Sequence, residues 1–466
     1  MTDVSSLVRS AQQLSSTSTG LVKLQTLLDA SAEILSAHAP EAIAVLESRA
    51  LTPDVHSLAC IHILCAAAST ATTLPESESI GPAPSDVQPQ TPAHRTSAFA
   101  TRPDDPVTIA FFDLAAALLL GCDTSQVQLD PRRFSHVCGS FRDIALARGA
   151  ASTVAALRPL AVAIDAARPG PDHLTPQHAM LFECALRSKA HTAAIPALDE
   201  PVFQVEPATT GADAEVHLLY CLHGGSIRAA LGDHARASEM FLQAVCAPAS
   251  ELSQIVTAAY KRFILSELAS TGTAPQLPRF ISPAVQRGLK AAAVEYMSLA
   301  DAHSSKDVAK LHECAEEHAA VFEEDGVADF VQEVIDSFAR QNVRGLTNTY
   351  LTLSLEDIAS ATGMEGGATA AERAVVRMIE SGDIHASVSQ RNGTVNFQDP
   401  GSDQYASVEM TKRLDQEITE VLALADRVRR RDDDVRASKA YLDHVLDGFG
   451  GGSGLEMPGD PTDSDG

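Results

Sequence analysis

The segment from Leu346 to Phe397 constrains this chain more than any other, because it sets three local signals in a fixed order. Ser354 stands three residues before Asp357, close to the capping-box pattern that opens a helix. Thr369 stands three residues before Glu372, a full capping box, ahead of the apolar positions Val375, Val376 and Ile379. This second helix is expected to end at Gly382, where a left-handed residue is easiest to place. Two extended runs follow, 384–390 and 394–397, joined by Arg391, Asn392 and Gly393; an Asn-Gly pair between such runs marks a hairpin. Helix, helix, hairpin is the order of a winged helix. Helical spacing places Leu355, Ile358 and Ala359 on one face of the first helix, and Val375, Val376 and Ile379 on one face of the second.

A winged helix either reads nucleic acid or holds proteins together, and charge decides between the two. The 466 residues carry 35 Lys and Arg against 61 Asp and Glu, a net charge of −26. Between residues 340 and 399 five arginines face seven acids, a balance of −2. The second helix sets Glu372 and Glu380 beside Arg373 and Arg377. Phosphate recognition needs clustered Lys and Arg, so a nucleic-acid partner is not expected. The first residues lack the basic and apolar regions of a secretory signal. The longest apolar stretch, Leu114 to Leu120, is too short to span a bilayer, and no membrane partner is expected. Eight cysteines without CxxC spacing fit reduced thiols, and hence a cytoplasmic and nuclear location.

Before the winged helix the pattern is helical. Residues 1–74 read as helical repeats, with Leu21, Leu24, Leu27 and Leu28 at helical spacing and Ile34 and Leu35 continuing the pattern. Residues 75–106 form a proline-rich insertion expected to be disordered. Helical repeats resume over 107–210 and continue over 211–325. Their breaks are expected at Pro131, Pro169–Pro176, Pro201–Gly211 and Pro275–Pro283. Gly225, Gly232, Ala237, Phe241 and Ala244 have the spacing of a tetratricopeptide-like helix pair, small residues allowing close approach and Phe241 filling the gap. Stacked pairs of this kind build a superhelix. The winged helix takes 326–400. Residues 404–447 read as one more helix, with Leu414, Ile418, Val421, Ala425 and Val428 alternating steps of four and three, a bundle or coiled-coil seam. Residues 448–466 are a flexible acidic tail.

No residue set calls for a cofactor, a metal or a catalytic centre. His312 and His318 are six apart, about 600° of helix rotation, and diverge where a zinc-protease helix needs a spacing of four. The neighbours His217 and Cys221, and the trio Cys60, His62 and Cys65, lie in apolar helical runs where cysteine is usually a small core residue. Gly363 to Gly367 lacks the Lys-Ser/Thr of a phosphate loop and reads as a plain loop. No His-x-His occurs, so the metal-binding motif of a JAMM isopeptidase is absent.

Tyr350, Leu353, Ser354, Leu355, Asp357, Ile358 and Ala359, then Met378, Ile379, Gly382 and Ile384, then Gly393, Val395 and Phe397 together resemble the winged helix of PCI-domain proteins. The stretches from His217 to Val245, from Ala258 to Leu268 and from Gln276 to Phe280 are similar to the subunit-three family of the COP-nine signalosome. The resemblance implies a mainly α fold: a tetratricopeptide-like superhelix, a winged-helix PCI module and a C-terminal bundle helix. It implies a non-catalytic scaffold in a complex that removes a ubiquitin-like modifier from cullin-RING ligases. Its partners would be the other PCI and JAMM-type subunits, and cullin-RING ligases indirectly. The stripe Leu414, Ile418, Val421, Ala425 and Val428 would be a subunit interface. A PCI scaffold of the proteasome lid, or a winged-helix nucleic-acid binder, stands as the alternative.

Overall fold

The computed structural model describes residues 4–15, 18–71, 103, 105–248, 252–305, 307–347, 349–362, 366–398, 408–439 and 441–442. Most of the proline-rich insertion and all of the acidic tail lie outside these residues. The chain divides into two compact units, residues 1–346 with 358–370, and residues 347–357 with 371–466.

The first unit is built from paired helices, and prolines set where many of them start. Pro131, Pro176 and Pro283 each occupy the first position of a helix, where a missing N–H costs nothing. Asp130 caps the first of these by accepting from the Arg133 N–H at 3.2 Å. Thr175 caps the second in a box in which His178 replaces the usual Glu. Pro159 sits inside the helix Ala150–Ala167, a position the sequence pattern did not mark.

That same helix is the one among the described residues that matches a bilayer in length and mean hydropathy. It is long and apolar enough by composition, yet it contains Arg158 and Asp165. Its buried residues, among them Ala156, Leu160 and Ala163, belong to the core of the unit. It is a core helix.

The expected tetratricopeptide-like pair is present. Helices Ala214–Ala230 and His234–Cys246 are joined by a tight turn in which Gly232 has φ +82°. Phe241 is fully buried, and a Cβ built on Gly225 would meet its Cε1 at 2.7 Å. The glycine lets the two backbones close on the ring.

In the second unit three strands, β1 (Thr352–Ser354), β2 (Ala386–Ser389) and β3 (Thr394–Phe397), form an antiparallel sheet in the order β1-β3-β2. Leu353 pairs with Val395 in one ladder and Val388 with the same residue in the other. Val395 and Phe397 point to the buried face. The helix Leu355–Thr362 starts on Ser354, whose hydroxyl oxygen accepts from the Asp357 N–H at 3.0 Å, as the sequence indicated. The helix Gly367–Glu380 closes as expected: Gly382 has φ +76°, the Asp383 N–H donates to Met378 C=O at 2.9 Å and the Gly382 N–H to Ile379 C=O at 3.1 Å. Those two bonds define a Schellman motif.

Three local expectations need correction. Thr369 does not cap a helix; the helix has already begun at Gly367, the second of two successive glycines with positive φ. Its buried face is Ala371, Val375 and Met378, while Val376 is exposed, because steps of four and three from Ala371 reach Met378 and not Val376. The hairpin connection is one residue longer than the expected Arg391, Asn392 and Gly393. Ser389 pairs with Thr394 across a four-residue loop, in which Gly393 alone takes a positive φ. Gln390 leaves the strand and donates to Glu372 Oε1 at 2.9 Å.

Candidate interaction surfaces

The sheet leaves two edges. The Gln398 N–H donates to His385 C=O at 2.8 Å, which fixes the alternation along β2: the backbones of Ser387 and Ser389 face β3, and those of Ala386 and Val388 face away. The Phe397 N–H donates to Leu351 C=O and the Leu355 N–H to Gly393 C=O, both at 2.8 Å, which fixes β1 in the same way. Thr352 and Ser354 therefore turn their backbone groups outward there. A row of outward N–H and C=O groups is a template for another strand. Beside it Leu351 is 78% exposed and Tyr350 about half. On the helix Gly367–Glu380, Arg373, Arg377 and Glu380 are exposed together, so the face a nucleic acid would need is of mixed charge.

The expected terminal helix runs Val408–Ala437 without a break, through the Arg429 to Asp434 charge block. All five seam residues predicted from sequence are open to solvent: Leu414, Ile418, Val421 and Val428 are 49 to 64% exposed, and Ala425 is exposed with them. Leu422 and Leu424, which sequence reasoning left out, are also exposed and widen the apolar face. Their signal was available, since both flank the seam at helical spacing. Scattered exposed apolar residues are ordinary, whereas these lie together along one helix and form a candidate interaction surface.

The titratable clusters of the first unit are core features. His62 pairs with neither Cys60 nor Cys65 but lies 3.6 Å from Asp130, and Asp29 completes a group whose donor atoms fall within 4.8 Å of one another. The cation there is already supplied by Arg133, whose Nη1 lies 2.6 Å from Asp29 and 2.5 Å from Asp130. Burial, then the neighbouring Arg133 charge, push the His62 pKa down to about 4. Asp29 and Asp130 are far from His62 in sequence, and no local spacing reveals the cluster. Cys221 lies 3.8 Å from His217, and burial raises its thiol to about 12, which keeps it protonated and a poor ligand or nucleophile. Burial raises Cys60 to about 12 in the same way. His312 is exposed on the helix Val308–Glu317, and His318 stands at the end of that helix.

Residues 18–285 match the family model described as COP9 signalosome complex subunit 3, N-terminal helical repeats, and residues 315–399 match the PCI domain. A protein of Arabidopsis thaliana named COP9 signalosome complex subunit 3 is 29% identical over 334 residues, 71% of this chain and 75% of the relative. A protein of the same name from Dictyostelium discoideum is 26% identical over 343 residues, 72% of this chain and 80% of the relative.

Proposed function

The chain belongs to the family of COP9 signalosome complex subunit 3, and on that premise we propose that it is a scaffold subunit of the signalosome, the complex that removes the ubiquitin-like modifier from cullin-RING ubiquitin ligases. The single observation that carries this reading is the order of a long helical-repeat region followed by a PCI domain, both in the same chain. The helical repeats present an extended surface. The outward groups of Ala386 and Val388 offer a strand edge to a neighbouring subunit. Leu414, Ile418, Val421, Ala425 and Val428 offer an apolar seam to the helices of other subunits, which include PCI and JAMM-type chains.

The chain contributes no catalytic residue to the reaction. The thiols at Cys60 and Cys221 are held protonated by burial, and the His62 cluster is closed by Arg133. The protein works in the cytoplasm and nucleus, in keeping with its eight free cysteines. The test is to assay a purified cullin conjugate with the isolated chain, with the intact complex, and with a complex assembled without this chain. The expected result is no cleavage by the isolated chain and impaired assembly in its absence. Cleavage by the isolated chain would overturn the non-catalytic reading.

A further inference from the structure

The exposed terminal helix carries a charge pattern that identifies one occupant for its seam. Reading the seam as two rows, Ile418, Ala425 and Asp432 form one and Leu414, Val421 and Val428 the other. The flanking positions change sign along the helix. Asp415 and Glu417 flank the N-terminal half, Leu422 and Leu424 the centre, and Arg429 and Arg431 the C-terminal half. A second copy of this helix laid antiparallel, centred on Ala423, brings Ile418 over Val428 of the second copy and Ala425 over Val421. In that one register the flanks also match. Asp415 meets Arg429, Glu417 meets Arg431, and Leu422 and Leu424 each meet their own equivalents across the two-fold axis. By symmetry each ion pair occurs twice. A parallel pairing instead sets the acidic halves beside each other and the arginines beside each other.

We infer that the unassembled chain forms an antiparallel two-fold homodimer through the helix Val408–Ala437, with Leu422 and Leu424 at its centre. This requires only the present chain and stands apart from the identity of the complex that the helix joins. The apolar groups it covers are 46 to 64% exposed at Leu414, Ile418, Val421, Leu422, Leu424 and Val428. The local ion pairs it must exchange are weak. Glu417 is held by Arg413 at 3.1 Å and Arg431 by Asp434 at 3.7 Å, each between exposed side chains on one helix. The pairing ends where Asp432 comes opposite Leu414, since a carboxylate does not enter an apolar layer unpaired. Because the same seam residues serve both, homodimer and assembled state exclude each other. The dimer is the form in which an unincorporated chain keeps its apolar seam covered.

The test is sedimentation of the full chain at several concentrations, with charge-reversed variants. The unaltered chain is expected to be a concentration-dependent dimer. D415R/E417R, whose flanks are basic throughout, should dimerise at least about ten-fold more weakly, four attractive pairs having become repulsive. R429E/R431E, acidic throughout, should behave the same. Mixing the two variants should restore a dimer containing one of each, and the quadruple reversal on one chain should restore the homodimer. Recovery on mixing shows that neither variant has lost its fold. A monomeric unaltered chain, variants that dimerise undiminished, or a mixture that fails to recover would each overturn the inference.

Discussion

Replacing Gly225 by alanine and Phe241 by alanine, singly and together, probes the close pairing of the helices Ala214–Ala230 and His234–Cys246. Alanine is the better helix former by about 1 kcal/mol, so G225A in an open helix would stabilise. Here the new methyl carbon would lie 2.7, 2.9 and 3.0 Å from three atoms of the Phe241 ring. The ring is fully buried and cannot swing into solvent, so the overpacking penalty of about 1–3 kcal/mol applies. G225A alone should therefore be neutral or destabilising by up to about 2 kcal/mol. F241A alone should cost about 3–5 kcal/mol through lost burial and the cavity left behind. In the F241A background the clash is gone and the methyl fills part of the cavity, so G225A should stabilise by about 1 kcal/mol or more. The sign of the Gly225 substitution thus reverses with residue 241. Urea midpoints of the four proteins, followed by far-ultraviolet circular dichroism in one buffer, measure it. Stabilisation by G225A in both backgrounds would refute the close approach.

The remaining predictions concern pH, the strand edge and the seam. Burial lowers His178 from 6.5 to about 4, and His62 likewise, so the folded state holds fewer protons than the unfolded chain and stability falls as pH drops from 6.5 towards 4. Each histidine can remove roughly 3 kcal/mol by pH 4, and H178Q should flatten the dependence of the urea midpoint between pH 7 and 4.5. On β2, V388P removes an outward N–H and S387P one that faces β3, so V388P should leave the winged helix folded but weaken assembly, whereas S387P should destabilise the fold itself; thermal melts and co-purification separate the two. I418D/V421D should abolish incorporation into the complex while shifting the stability of the free chain, melted at a concentration low enough for it to be monomeric, by no more than about 0.5 kcal/mol, because both side chains are exposed in the monomer; unfolding of the free chain would place the seam in this subunit's own core.

What sequence could reveal was governed by the range of the interactions. Gly225 with Phe241, Ser354 with Asp357 and the closing role of Gly382 are set by residues within a few helical turns, and their spacing carries the signal. The misreadings have local causes too. Thr369 and Glu372 match a capping box only if the helix starts there, and two preceding glycines had already turned the chain. The first hairpin run was expected to reach Gln390, but the strand ends at Ser389 and the Gln390 side chain bonds to Glu372 on the preceding helix. The Asp29, His62, Asp130 and Arg133 cluster joins residues up to about a hundred positions apart, and nothing in their neighbourhoods announces it. The seam on the terminal helix was legible as a stripe, while its exposure, which makes it a candidate interface, needed the structure.

The central claim is that this chain is a scaffold subunit of the signalosome. Purifying the tagged chain from its source at its natural abundance, and identifying by mass spectrometry what accompanies it in stoichiometric amount, tests that claim most directly. The account predicts the subunits of the cullin deneddylase, including its JAMM-type subunit, with recovery lost in I418D/V421D. Stoichiometric recovery of proteasome lid subunits in their place, or of the chain alone, would contradict it.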